Sequence, residues 1–375
     1  MDALSDGARV IVAGGGAIGC AVAWEAALRG LDVTLVERGT PGREATWASA
    51  GMISPSGHTA EEGPFIELAL ASFHAYPAFV ERLAGYTAED PVFEPVGKLV
   101  VALSEAEVGE LEAFKREQAG RIAVELIGGD EARRMEPALS DAVVAAAHVA
   151  DDYRLDNVRL GRALWDAAAR AGVRFRLGDS VSAVLSEGGR VRGVALAGGG
   201  ELAAELVVVA AGCWSGGIRG LPRALPVVPV RGQMLALQAV PPPIRLSVHH
   251  GSTYLVPRVD GRLIVGSTRD NAGFRATPTA GGVSTLLAGA LQLLPGLAEA
   301  RVLEVWAGLR PGTPDNLPVL GADPELPGLV YATGHFRNGI LLTPITGELI
   351  ADVLEGREPR ISLEPYRADR FVEAS

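Results

Sequence analysis

Two groups of residues in this chain have types and spacing suited to chemistry. The first is Gly14-Gly15-Gly16-Ala17-Ile18-Gly19, which satisfies GxGxxG. Gly14 permits a tight turn, Gly16 lets a backbone approach a pyrophosphate, and Gly19 lets a helix pack close to a strand. Free N–H groups and the dipole at a helix start favour the anion. Glu37 follows Gly19 by 18 residues and ends a second apolar run. A carboxylate there accepts hydrogen bonds from a ribose diol. The second group lies late in the chain and centres on Arg310, at the end of a β-like run and before Pro311. A guanidinium fork matches a carboxylate and stays charged. An Arg in this position is equally able to serve a structural salt bridge.

The elements that must position these residues are legible around them. Val10–Ala13 reads as a buried parallel strand, Gly14–Gly19 as the turn, and Cys20–Arg29 as a helix closed by Gly30. Asp32–Glu37 is the second strand of a compact βαβ unit. A Gly- and Ala-rich loop from Arg38 to about Gly63 follows. Helices are expected over Phe65–Leu83, Glu105–Gln118, Asp130–Met135, Asn157–Ala171, Gly281–Leu294 and Gly339–Leu354. Val173–Leu177, Ser180–Leu185 and Val191–Leu196 read as a small meander, and Leu206–Ala211 as a strong buried strand. Val227–Ser267 is β-rich, Pro241–Pro243 marks a stiff exposed connection, and Val302–Leu309 returns to strand. No internal repeat or low-complexity tract is present.

Composition narrows the class. The length suits two to three domains' worth of core, and 48% hydrophobic residues argue against disorder. The formal charge of −11 opposes nucleic acid and anionic membranes as partners. Cys20 and Cys213 form neither a disulfide framework nor a metal site, so no metal is expected, and both suit packing in a reducing cytoplasm. Met1–Gly7 lacks the basic start and apolar run of a signal peptide, and no run reads as a membrane span.

Beyond the βαβ unit the chain departs from a continuous nucleotide-binding domain. It enters the loop Arg43–Gly57, with Thr46-Trp47-Ala48-Ser49-Ala50-Gly51-Met52, and returns at Val207-Val208-Val209-Ala210-Ala211-Gly212-Cys213-Trp214. Three later motifs are more specific. They are Tyr254-Leu255-Val256-Pro257-Arg258 with Gly261-Arg262 and Val265-Gly266, then Trp306–Thr313, then Gly334-His335-Phe336-Arg337-Asn338-Gly339-Ile340-Leu341-Leu342. With these in order, the chain from about Arg9 to Phe371 resembles the D-amino acid oxidase and sarcosine oxidase family of FAD enzymes, and within it the glycine oxidases of the thiamine pathway.

The resemblance implies a mixed α/β fold. A discontinuous Rossmann-type FAD-binding domain (9–84, 146–222, 311–362) would carry a second, substrate domain on a mixed β-sheet (85–145, 223–310). It implies FAD contacts at Gly14, Gly16, Ala17, Ile18, Gly19, Glu37, Arg38, Thr46, Ala50, Gly51 and Met52. Further contacts are implied at Val181, Ala211, Gly212, Trp214, His335, Arg337, Asn338, Gly339, Ile340 and Leu341. Val181 would contact the adenine part, and Gly339 and Ile340 would open a helix facing the flavin pyrimidine ring. Arg310 and Tyr254 would hold a substrate carboxylate, with Arg337 nearby. No cysteine stands in the late motifs where sarcosine oxidases tether flavin, so FAD is expected to be non-covalent.

The implied reaction is hydride transfer from glycine, sarcosine, D-alanine or D-proline to flavin N5. It would give an imine or 2-oxo acid, ammonia and, with molecular oxygen, hydrogen peroxide, in a homotetramer. A D-amino acid oxidase, a dye-linked dehydrogenase and a non-catalytic FAD-holding subunit are the alternatives. Two positions depart from the family pattern. Ser252 stands where a His is often found, and Arg269 where an apolar residue often faces the substrate. If Arg269 points into the pocket it can bind a second carboxylate; if it points to solvent it has no role.

Overall fold

The computed structural model describes residues 8–56, 63–239 and 243–371. The expectations for Met1–Gly7, for 57–62 of the long loop and for Pro241–Pro242 lie outside them. Among the described residues two large sheets dominate. The first has six strands in the order Val319–Ala322, Leu329–Thr333, Leu206–Val209, Arg9–Ala13, Asp32–Glu37, Arg174–Leu177. Its pairs are parallel except the first. Helices Ala17–Leu28, Pro64–Ala84, Asn157–Arg170 and Thr343–Leu354 cover one face in a single apolar cluster around Trp24, Tyr76 and Leu164. The other face packs on a three-stranded sheet, Val181–Glu187, Arg190–Leu196 and Glu201–Ala203. Both faces are covered, which is why these strands are near-continuous apolar runs.

The second sheet has eight strands in the order Arg301–Gly312, Val228–Gln238, Arg262–Gly266, Thr253–Pro257, Ser247–His250, Lys98–Ala102, Ala145–Val149, Glu125–Gly128. Strands Ala145–Val149 and Arg301–Gly312 carry it past the expected boundaries at 145 and 310. One face buries Leu235, Leu237, Leu255, Leu263 and Val265 against the helix Ala280–Leu293. The other presents Met234, Ala236, Val256, Ile264 and Trp306 to the Ala48–Met52 segment. The alternation is the two-residue period of a strand with both faces covered.

Several expected elements differ. The Gly14–Gly19 turn is shorter, because the helix starts at Ala17 and not Cys20. The Arg38–Gly63 loop contains a short helix, Ala45–Ala48, and a strand, Met52–Ile53. Arg174–Leu177 is not part of the meander; it joins the six-stranded sheet beside Asp32–Glu37, and Glu201–Ala203 supplies the third meander strand. A strand following a helix folds back parallel onto the sheet that the helix covers. The last helix begins at Thr343, not Gly339. Pro344 has no N–H and its ring would clash with the carbonyl four residues earlier, so helix cannot extend back through it.

The two sheets are joined by a buried guanidinium. Arg258, on the turn after Thr253–Pro257, donates to the carbonyl of Leu155, to Ala50 O at 2.8 Å and to Asn157 Oδ1 at 2.8 Å. Burial lowers its pKa to about 10, so it remains charged at neutral pH. Asn157 in turn donates to Thr46 O and Trp47 O at 2.9 and 2.8 Å. Arg258→Leu leaves three buried acceptors unpaired, at about 1–3 kcal/mol each. The expected result is a loss of at least ~3 kcal/mol, read as a lower thermal midpoint. A midpoint within about 1 °C of wild type would refute it.

Candidate active site

One cavity of about 940 Å³ lies between the sheets, near the top of the ~300–1,000 Å³ range usual for ligand pockets. At one end is the glycine turn. Gly14 has φ +113, and a Cβ there would sit 2.5 Å from Ala210 O. A Cβ on Gly19 would overlap Gly14 O, so this glycine serves helix–strand packing. Gly19 is the one expected cofactor residue that does not line the cavity, because the close packing that requires it also buries it. Gly16 differs: a Cβ on it would meet only Thr46 Oγ1, at 3.6 Å. As N-cap it gives its helix no side-chain cap, and no acidic residue stands in the first turn. A helix start whose N-cap is a glycine and which opens on a cavity fits an anion.

Glu37 is oriented by its own neighbourhood. Its Oε2 accepts from Gly15 N and its Oε1 from Gly39 N, both at 2.8 Å. Thr46 Oγ1 accepts from Ala17 N at 2.9 Å, so the long loop caps the first helix from outside. Arg38 stacks on Trp214 at 3.6 Å and pairs with Glu44. Ala17, Ile18, Val181, Ala211 and Gly212 line the same end.

The 335–342 turn borders the cavity through His335, Arg337, Asn338, Gly339, Ile340 and Leu341. Tyr76 OH donates to Ile340 O at 2.5 Å and Ser72 Oγ to Leu341 O at 2.6 Å. A planar peptide whose C=O is held in the core turns its N–H the other way. The Leu341 N–H is thereby directed away from Tyr76. His335 is buried, with Nε2 3.1 Å from Thr346 Oγ1, and desolvation lowers its pKa to about 3.

The far end carries Tyr254, Arg269, Arg310 and Arg337. Arg310 Nη2 donates to Ser267 Oγ at 2.7 Å and Nη1 to Thr268 O at 3.2 Å. Burial is the first cause of its lowered pKa, and the charges of Arg337 and Arg269 add to it. Glycines make room for these side chains. A Cβ on Gly232 would overlap the Arg310 guanidinium, one on Gly266 the Tyr254 ring, and one on Gly308 the Ala48 methyl. Tyr254 faces Gly266 in register, and Gly232 faces Gly308. Arg337 is exposed, with its guanidinium 5.9 Å from the Phe336 ring centroid. Ala50, Gly51 and Met52 line the wall opposite the sheet.

Sequence reasoning missed a buried group on the same cavity. Lys98 Nζ donates to Ser54 Oγ at 2.6 Å and Ser56 Oγ at 2.7 Å, and lies 3.7 Å from Asp152. Burial lowers the Lys98 pKa and raises that of Asp152 to about 6. The signal was a Lys opening the apolar run Leu99–Ala102. His249 and Cys213 also line the cavity.

A family model described as FAD dependent oxidoreductase (DAO) matches residues 9–353. The chain belongs to this FAD dependent oxidoreductase family. It is 38% identical to a glycine oxidase of Pseudomonas aeruginosa, over 96% of this chain and 98% of that one. It is 36% identical to a bifunctional protein ThiO/ThiG of a Nostoc species, over 92% of this chain and 52% of that one. The crystal structure of a glycine oxidase from Geobacillus kaustophilus superposes with a TM-score of 0.92 at 34% identity, covering 97% of this chain and all of that one. As in its family, the enzyme's cofactor is FAD, and the open glycine turn, the anchored Glu37 and the elongated cavity fit it. Among the described residues no helix is long and apolar enough to cross a membrane.

Two tests follow from this geometry. Gly232→Ala is expected to displace the Arg310 guanidinium and weaken acetate binding by roughly tenfold or more, with FAD content unchanged. Titration of the flavin absorption band with acetate measures it, and unaltered affinity would sink the assignment. His335 has a folded pKa below its unfolded value, so the unfolded chain binds the extra proton. Its contribution to stability is intact above pH ~6.5 and falls as pH drops toward the folded value. Between pH 6.5 and 5 the wild type should lose about 2 kcal/mol more than His335→Gln. Parallel unfolding curves for the two proteins across that range would contradict this.

Proposed function

We propose that this enzyme oxidises a small amino acid, glycine or a close analogue such as sarcosine, D-alanine or D-proline. The carrying observation is Arg310 laid across Gly232 beside Tyr254, at one end of a cavity whose other end is the open glycine turn. The likeness to glycine oxidases over nearly the full length supports the reading.

Arg310 receives the carboxylate as a planar fork, and its acceptors, the Ser267 hydroxyl and the Thr268 carbonyl, hold that fork in place. Tyr254 adds a hydroxyl to the same carboxylate, and Arg337 stands beside them. Together they fix which carbon faces the cofactor, and positioning supplies much of the rate. The turn 335–342, Gly14, Gly16, Glu37, Arg38, Trp214 and Val181 would hold FAD. When bound, FAD would supply the acceptor for a hydride from the substrate carbon, with molecular oxygen as the final oxidant and hydrogen peroxide as its product. The substrate leaves as an imine, which water converts to a 2-oxo acid and ammonia. Cys213 borders the cavity, but burial pushes its thiol up to about 12, so it offers no thiolate for a flavin bond. The late motifs carry no cysteine either, and on this reading FAD is held non-covalently.

The domain division completes the proposal. Segments 9–84, 146–222 and 311–362 form the FAD half, and 85–145 with 223–310 the substrate half, strands that cross a boundary staying with their sheet. A homotetramer in the cytoplasm, supplying thiazole assembly for thiamine, is the setting that the family suggests. The match of this chain to about half of ThiO/ThiG supports a linked step.

Purified enzyme in air-saturated buffer should release peroxide with at least one of the four amino acids. Bleached flavin that does not recover in air would instead favour a dehydrogenase. Arg310→Ala should raise KM by roughly 100-fold or more, and Tyr254→Phe by about tenfold. Unchanged KM in Arg310→Ala would remove the anchor. Acid precipitation should leave all flavin in the supernatant; yellow pellets would refute non-covalent binding.

A further inference from the structure

The substrate end of the cavity holds more positive charge than one carboxylate needs. Arg310 suffices to bind an amino acid's carboxylate, yet Arg269 lines the same cavity and its charge acts on Arg310. The side chain is exposed to solvent, and its guanidinium lies 5.1 Å from the Phe336 ring centroid. Phe336 is itself fixed: its backbone has φ 49 and its N–H donates to Pro311 O at 2.9 Å. The ring is thus a fixed neighbour for the Arg269 guanidinium at the cavity wall.

The segment bearing Arg269 is clamped on both sides. Arg310 holds Ser267 and Thr268. Asp270 accepts from Gln233 Nε2 at 2.8 Å, from Thr268 Oγ1 at 2.9 Å and from Arg231 Nε at 3.3 Å. The adjacent carboxylate is therefore committed elsewhere, and no ion pair joins Arg269 to an acid among the described residues. The cavity's acidic lining residues, among those described, are Glu37 and Glu44. Glu37 is taken by two backbone N–H groups and Glu44 by Arg38, both at the glycine-turn end. In a chain of net charge −11, a guanidinium held at a cavity wall with no acid to balance it among the described residues is a site for an anion.

We propose that Arg269 forms a second carboxylate subsite beside Arg310, so that this enzyme prefers small amines carrying two carboxylates. The inference rests on the amino-acid oxidase reading for its chemistry, since the bonds broken and formed are those of that reaction. It adds only the recognition of a second anionic group. An apolar residue in place of Arg269 would favour glycine or an N-alkyl glycine; a guanidinium there rewards the extra carboxylate and leaves the smaller substrates without a partner for it.

The test uses the FAD-loaded enzyme and matched pairs that differ by one carboxylate: sarcosine against N-(carboxymethyl)glycine, and D-alanine against D-aspartate. In at least one pair the dicarboxylate should exceed its partner in kcat/KM by about tenfold or more, and Arg269→Met should cut that ratio by about tenfold. Equal kcat/KM within both pairs, or a ratio unmoved by Arg269→Met, overturns the proposal. Binding is read separately, without turnover, by titrating the flavin absorption band with malonate and with acetate. Malonate should bind at least about tenfold tighter than acetate, and Arg269→Met should abolish the difference. If malonate discrimination is present and is lost in the variant while no amine releases peroxide, the subsite stands and the oxidase reading fails. If malonate and acetate bind alike, or if Arg269→Met expels FAD, the subsite falls.

Discussion

The buried Arg258 guanidinium is the interaction on which the site depends. A charge taken out of water is costly unless its donors are met. Here they are met by groups from two other segments, Ala50 on the cavity wall and Leu155 with Asn157 at the start of a helix. The strand turn that carries Tyr254 four residues earlier is therefore fixed relative to the wall that faces it. Gly51 belongs to the same arrangement: it has φ +67 and a Cβ there would overlap Leu155 O. The neighbouring Arg154 Nη1 to Pro257 O bond, at 2.6 Å, ties the same corner again. The gap between the two large sheets, which is the cavity, is set by these contacts rather than by apolar packing alone.

Within that gap the eight-stranded sheet is bare where it matters. Gly232, Gly266 and Gly308 have no side chains, so the Tyr254 ring and the Arg310 fork lie along the sheet instead of standing away from it. A flat floor leaves room for a flat cofactor, and it limits the rotamers of the two side chains. Both effects pre-organise the site before substrate arrives. The opposite wall, Ala48–Met52, is small for the same reason, since Ala48 meets Gly308 directly.

The βαβ unit, Glu37 and the late motifs could be read directly, because glycine spacing and strand–turn–helix order are local properties. Gly14 makes a tight turn and Gly19 serves helix–strand packing, as their spacing implies. Partner assignment was less legible. Nothing local tells Arg174–Leu177 that its neighbour is Asp32–Glu37 and not the following strand. The apolar run Ile340–Leu342 gives no local sign of the last helix's start, which Pro344 sets at Thr343. Lys98 went unnoticed since its significance comes from Ser54, Ser56 and Asp152, which are distant in sequence. Arg269 stands out in sequence as a departure, but its surroundings are set by the fold: it lines the cavity and is exposed to solvent.

The order of strands in the six-stranded sheet also governs how the chain can come into being. Arg9–Ala13 pairs early with Asp32–Glu37, but its other edge waits for Leu206–Val209, as the bond from Arg9 to Glu205, 196 residues apart, makes plain. At ~5–20 residues per second of synthesis that edge stands open for roughly 10–40 s. The nascent chain thus exposes an unpaired apolar strand on the ribosome until its middle is made, and the sheet is complete only after Thr333 emerges. A premature stop anywhere before that point releases not a smaller enzyme but a sheet with an open edge.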